Sequence, residues 1–110
     1  MIIRKIWDES IPPFQRERML LDLPEAETIA IGYVALQPGE STDIGLHEDE
    51  EEGYVVLTGK AKLMLGDTLH ELEKGHVVYV PRNTPHRMTC ISDTPLEYLY
   101  FANFPDMNKQ

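Results

Sequence analysis

Gly39-Glu-Ser-Thr-Asp-Ile-Gly45-Leu-His47-Glu-Asp-Glu-Glu-Glu52-Gly-Tyr-Val-Val-Leu-Thr-Gly59 is the stretch on which the reading of this chain turns. It begins and ends at a glycine, and its second half is a short aromatic and β-branched run of the kind that packs on a pleated sheet. His47 and Glu52 stand at fixed distances from those two turns. Downstream, Gly75-His-Val-Val-Tyr-Val-Pro81-Arg-Asn-Thr-Pro-His86 has a similar layout: glycine, apolar run, proline turn, histidine. Two imidazoles and a carboxylate brought together by such turns suit a divalent transition metal.

From Thr28 onward, short runs rich in Val, Ile, Leu and Tyr alternate with turn residues, the pattern of an all-β sandwich or barrel. Pro38-Gly39 closes the run from Thr28 to Gln37, and Gly59-Lys60 separates Glu52–Thr58 from Ala61–Leu65. Gly66-Asp67 then leads into Thr68–Leu72, and Glu73-Lys74-Gly75 into His76–Val80. Pro81 stops that strand because it has no amide to donate; His86–Ile91 and Leu96–Phe101 follow as strands. No helical period runs through residues 28–104, and Phe14 to Leu21 reads as irregular or strand, with Ile11, Phe14, Met19 and Leu21 available to cover a barrel end or sheet edge. The expected division is an N-terminal strand or extension over 1–27, a barrel over 28–104 and a tail over 105–110.

The chain has 110 residues, enough for one hydrophobic core. Ten basic residues against nineteen acidic ones give a net charge of −9, which repels a phosphate backbone and an anionic membrane surface. The N-terminal Met1-Ile-Ile-Arg-Lys-Ile-Trp7 has no apolar stretch of signal-peptide length, and nothing approaches the roughly 20 apolar residues of a spanning helix. The expectation is a cytoplasmic protein that engages neither nucleic acid nor membrane. A single cysteine, Cys90, excludes an intrachain disulfide and a thiolate-built zinc site, and reads as a small buried hydrophobe.

Strand side chains alternate faces, so Asp43, Gly45 and His47 share one side if that run is extended. An inward Glu52 takes Tyr54 and Val56 with it and turns Val55 and Leu57 outward; His86, Met88 and Cys90 likewise share a face. Ligands on three separate strands then converge inside a barrel. The five adjacent carboxylates Glu48–Glu52 repel one another, so most must face water, where they add negative potential that favours cations and disfavours anionic substrates.

With these residues in place, the chain resembles the small single-domain cupins of the conserved-barrel type over roughly residues 28–104. The first cupin motif, G-x5-H-x-H-x4-E-x6-G, is matched by Gly39, His47, Glu52 and Gly59, with Gly45 where the first histidine is expected. The second, G-x5-P-x-G-x2-H-x3-N, is matched by Gly75, Pro81 and His86, with Asn83 at the second glycine and Cys90 at the asparagine. Asn83 can adopt the left-handed conformation a turn glycine supplies. The resemblance implies a double-stranded β-helix, or jelly-roll, barrel with an N-terminal extension. It implies a divalent ion, iron, manganese, nickel or zinc, on His47, Glu52 and His86. Glu52, and not Glu51, keeps the six-residue spacing to Gly59. Asp43 is the remaining candidate for an extra ligand, while His70 and His76 read as rim or surface histidines.

Such a site admits metal-dependent oxygenase or isomerase chemistry on a small organic molecule, though no residue stands in a motif that marks it as an additional base. The alternatives are a non-catalytic module that binds a metal or small molecule, and a barrel with a vestigial site. Tyr54, Met64 and Met88 are the expected pocket-lining residues. The orientation of Tyr33, Tyr98, Tyr100 and Phe101 depends on a strand parity that the sequence leaves open. A homodimer is expected from the resemblance and from Val55, Leu57 and Val77, apolar residues on the outward face.

Overall fold

A computed structural model describes residues 1–8 and 17–106, and the described residues fold into eight strands. In chain order these are β1 (Glu17–Leu21), β2 (Ile29–Leu36), β3 (Glu51–Thr58), β4 (Lys60–Leu65), β5 (Thr68–Glu73), β6 (Val77–Val80), β7 (His86–Cys90) and β8 (Leu96–Asn103). They form a five-stranded sheet of order β1-β2-β8-β3-β6 and a three-stranded sheet of order β5-β4-β7. Every pairing is antiparallel. The all-β jelly-roll expectation holds, and none of the described residues forms a helix long and apolar enough to cross a membrane.

Alternation builds the core. On β3 the inward Glu52, Tyr54 and Val56 are buried, and on β4 Ala61 and Leu63 are. β7 contributes Met88 and Cys90, and β8 contributes Leu96 and Tyr98. Leu36, Leu63 and Leu96 come from both sheets and are almost wholly buried. Each stabilises the fold by about 1.5–3 kcal/mol relative to an exposed side chain. Cys90 is the small buried hydrophobe expected of it.

Two departures bear on the site. The stretch before His47 is not a regular strand: it runs beside β7 through isolated bridges at Ser41–Thr89 and Gly45–His86. The acidic residues that follow then bend the chain at Glu48 and Asp49, both exposed, which keeps their carboxylates in water. At the N-terminus, the end of the Phe14–Leu21 segment is strand β1, paired with β2; Ile11 and Phe14 lie outside the described residues. β1 therefore adds an edge to the five-stranded sheet.

The outward face of that sheet is divided. Near the N-terminus, Trp7 donates its indole N–H to Glu97 at 2.8 Å, and the Tyr33 hydroxyl donates to the same carboxylate. Towards β6, Val77 and Tyr79 remain 75% and 60% exposed.

Two turn glycines separate backbone strain from steric exclusion. Gly59 has φ +81° and a Cβ there would lie 2.6 Å from the Pro95 carbonyl oxygen, whereas Gly75 has φ +91° and open space around it. Gly75→Ala should cost about 1–2 kcal/mol, the left-handed penalty alone. Gly59→Ala should cost more, since backbone must also move. Urea-unfolding midpoints check this, and equal losses for the two variants would refute the steric reading of Gly59.

Candidate metal centre

The three candidate ligands arrive from different local structures. Glu52 is on β3, between its partners Ala102 on β8 and Val80 on β6, and its side chain points into the barrel. His86 opens β7, held by reciprocal backbone hydrogen bonds with Gly45 of 2.9 and 3.0 Å. His47 sits in the connection before β3 and not on a strand, as the local chain bend requires. Its carbonyl accepts the Asn83 amide at 2.7 Å. Asn83 has φ +59°, the left-handed turn anticipated for it, so the turn after Pro81 holds His47 beside the start of β7.

Their side chains meet. The Nε2 atom of His86 is 3.1 Å and that of His47 3.4 Å from the Glu52 Oε1 atom. One donor atom from each of the three residues lies within 4.8 Å of the others. The far nitrogens are engaged: His86 Nδ1 is 2.9 Å from the Thr84 carbonyl, and His47 Nδ1 is 3.2 Å from the Glu50 carboxylate. In a neutral ring, Nδ1–H donates to these acceptors and leaves the Nε2 lone pair facing Glu52. Two lone pairs then converge on a carboxylate oxygen.

That oxygen is the telling atom. Glu52 is 9% exposed, and its Oε1 is buried without a hydrogen-bond partner among the described residues. A buried anionic oxygen faced by nitrogen lone pairs calls for a cation between them, a proton or a metal ion. The neighbouring Glu52 carboxylate raises the His86 pKa against the opposing effect of burial, the protonic form of the same demand. Burial, reinforced by the Glu52 charge, raises the Glu50 pKa as well. The donor set of two imidazoles and one carboxylate fits a divalent transition metal.

Gly45 is more than a missing histidine. A Cβ at this position would lie 2.6 Å from His86 Nε2 and 3.3 Å from His47 Nε2, so His86 leans over the bare backbone. The other candidates stay apart. Asp43 is exposed and lies outside the convergent group, although it lines the adjoining cavity. Glu51 is on the opposite face of β3 from Glu52. His70 pairs with Thr68, and His76 accepts the Glu73 amide through Nδ1; both are exposed on the surface.

The cluster opens into a cavity of about 680 Å³. Tyr54 lines it, as do Tyr98 and Tyr100, so the parity of β8 turns these two inward and leaves Phe101 outward. Two expected lining residues are elsewhere. Met88 belongs to the buried core, and Met64 shares the outward parity of Lys60 and Lys62 because Ala61 and Leu63 point in. Burial raises the Tyr54 pKa, keeping its hydroxyl protonated. Glu17 and Asp22 also line the cavity, and no local signal marked them, because only the pairing of β1 onto the sheet brings them there. Glu50 was hidden within an acidic run whose members differ only in which way they point.

Known proteins agree with this architecture. The chain is 34% identical over 61 residues to an uncharacterised protein of Methanocaldococcus jannaschii, covering 56% of this chain and about half, 49%, of that relative. Among solved structures, a Cupin 2 conserved barrel domain protein from Salinispora arenicola superposes with a TM-score of 0.78 at 22% identity, covering 97% of this chain and 92% of that one. The polyketide cyclase RemF from Streptomyces resistomycificus superposes with a TM-score of 0.70 at 28% identity, covering 79% and 63% of the two chains. Residues 32–101, the barrel that carries all three convergent side chains, match the cupin domain family, and the chain belongs to that family.

Proposed function

We propose that this protein holds a divalent transition metal on His47, Glu52 and His86 and acts on a small organic molecule in the adjoining cavity. The observation that carries the reading is the unpartnered, buried Glu52 Oε1 with an imidazole Nε2 on either side. When bound, such an ion supplies a Lewis-acidic centre with coordination positions left for water or substrate. The protein's own residues do the rest. Thr84 and Glu50 orient the two imidazoles, Gly45 leaves one side of the cluster without a side chain, and the Tyr54 hydroxyl stands ready as a donor in the cavity. Oxygenation and isomerisation are the reaction classes this arrangement supports; similarity to a polyketide cyclase favours chemistry on an oxygen-bearing organic substrate.

Protein purified without added metal and titrated with iron(II), manganese, nickel or zinc should take up one equivalent, measured by elemental analysis. His47→Ala, His86→Ala and Glu52→Gln should each lower affinity at least about tenfold. Asp43→Ala should leave the stoichiometry at one. Uptake unaffected by all three ligand variants would defeat the assignment.

Metal binding also predicts a stability change. Saturation at about 100 times the dissociation constant should add roughly 2.7 kcal/mol, and a chelator should remove it. Thermal unfolding with and without chelator reads this directly, and identical midpoints at saturating metal would count against a site that forms in the folded state.

The outward face near β6 supports a homodimer. Val77 and Tyr79 are exposed beside the half-buried Val55, an apolar surface that a second copy of the same sheet face would cover. Sedimentation should give twice the chain mass, and Val77→Lys with Tyr79→Lys should give the monomer. A monomeric parent protein at micromolar concentration would remove this reading.

A further inference from the structure

Beside the metal cluster the floor of the cavity is nearly bare. Strand register puts Glu52 on β3, Ala102 on β8 and Ala30 on β2 in one row across the five-stranded sheet, and all three line the cavity. From Glu52 towards the β1 edge the floor therefore consists of two methyl groups over roughly 10 Å, at ~4.8 Å per strand. Met19, Val34 and Phe104 add apolar surface around it, and the described lining residues include no lysine or arginine to meet an anionic ligand.

Small residues alone do not make a ligand site, but the next row of the sheet supplies a buried donor. That row holds Tyr54, Tyr100 and Gly32, and its two tyrosines are held differently. Tyr100 lies over Gly32, where a Cβ would come within 2.2 Å of its ring, and donates its hydroxyl to Glu17 at 2.8 Å. It thus leans towards the β1 edge and away from Tyr54. Tyr54 is set edge-on against Tyr98 and His86, with ring centroids 5.3 and 6.3 Å away. It is 5% exposed and lines the cavity, yet its hydroxyl makes no hydrogen bond among the described residues. A phenol withdrawn from water in this way has lost hydration without gaining an acceptor, and a phenylalanine would keep the same ring contacts. The hydroxyl is explained by a ligand that accepts from it.

We propose that the cavity binds a flat ring compound bearing a carbonyl oxygen, with that oxygen accepting from the Tyr54 hydroxyl and the ring lying on Ala102 and Ala30. That such a compound is the substrate rests on the function proposed above; that it binds rests on Tyr54 and the two alanines alone. Ala102 and Ala30 then limit the size of ring admitted, and Tyr54 sets its orientation. Because Tyr54 packs against the ring of His86, a carbonyl held by its hydroxyl lies on the same side of the cavity as the metal cluster. A donor placed there also stabilises negative charge that develops on the carbonyl oxygen during reaction.

1-Indanone and indane share a bicyclic frame and differ only at the carbonyl, so together they test this. Their dissociation constants for the full chain are measured by NMR titration of metal-free and of zinc-loaded protein. 1-Indanone should bind about three- to tenfold tighter than indane, the yield of one added hydrogen bond. Tyr54→Phe should erase that preference and leave the indane affinity unchanged. Ala30→Leu, two strands away from Glu52, should weaken both ligands at least about fivefold by filling the floor, with zinc stoichiometry at the parent value. Ala30→Val should give a smaller loss in the same direction and serves if the leucine variant does not fold. Failure of the parent protein to bind 1-indanone, equal affinity for the two probes, a preference that survives Tyr54→Phe, or undiminished binding in the Ala30 variants overturns the proposal. Zinc uptake is read separately: its absence would defeat the metal assignment, and the ketone preference of metal-free protein would still decide this one.

Discussion

A carboxylate oxygen taken out of water must be met by positive charge, and the inside of this barrel is arranged around one that is not. Glu52 Oε1 has two imidazole nitrogens aimed at it and no hydrogen-bond donor among the described residues. Neutral imidazoles offer it only lone pairs once their other nitrogens are committed to Thr84 and Glu50. The demand is satisfied by a proton at one extreme and a metal ion at the other. An arrangement so costly to leave unmatched is held by neighbours: the Gly45–His86 bridge aligns β7, and the Asn83 turn fastens His47.

Glycine has two separate duties around this site, both concerned with space. At Gly45 it lets the His86 ring lie over the backbone, and at Gly32 it lets Tyr100 cross an entire strand to reach Glu17. Neither residue has a left-handed backbone, so the requirement comes from close approach and not from φ. The turn glycines Gly39, Gly59 and Gly75 have positive φ and belong to the connections. The cavity is thus shaped by two missing side chains as much as by those present.

The strand layout was legible because turn chemistry and period-two alternation are local properties. Pro81, Asn83 and the glycine turns bounded strands within a residue or two, and the alternation on β3 correctly put Glu52, Tyr54 and Val56 on one face. Expectation and structure part in two places. Alternation alone predicts a strand up to His47, but the segment meets β7 through isolated bridges at Ser41 and Gly45 and scattered hydrogen bonds from Gly39 and Thr42, and solvation of the acidic run bends it. Met64, an expected lining residue, turns outward because its neighbours Ala61 and Leu63 claim the inward face of β4.

By itself, the sequence determined an all-β barrel and the identity and spacing of the donor-bearing residues His47, Glu52 and His86. Tertiary structure alone decided which nitrogens face the carboxylate, that His86 leans into the space of Gly45, and that Glu17 and Asp22 from the edge strand and its exit join the same cavity. The physical reason is range. Turns and alternating faces depend on neighbours along the chain, whereas a cavity is made by strand order, here β1-β2-β8-β3, which joins residues far apart in sequence only after the sheet has formed.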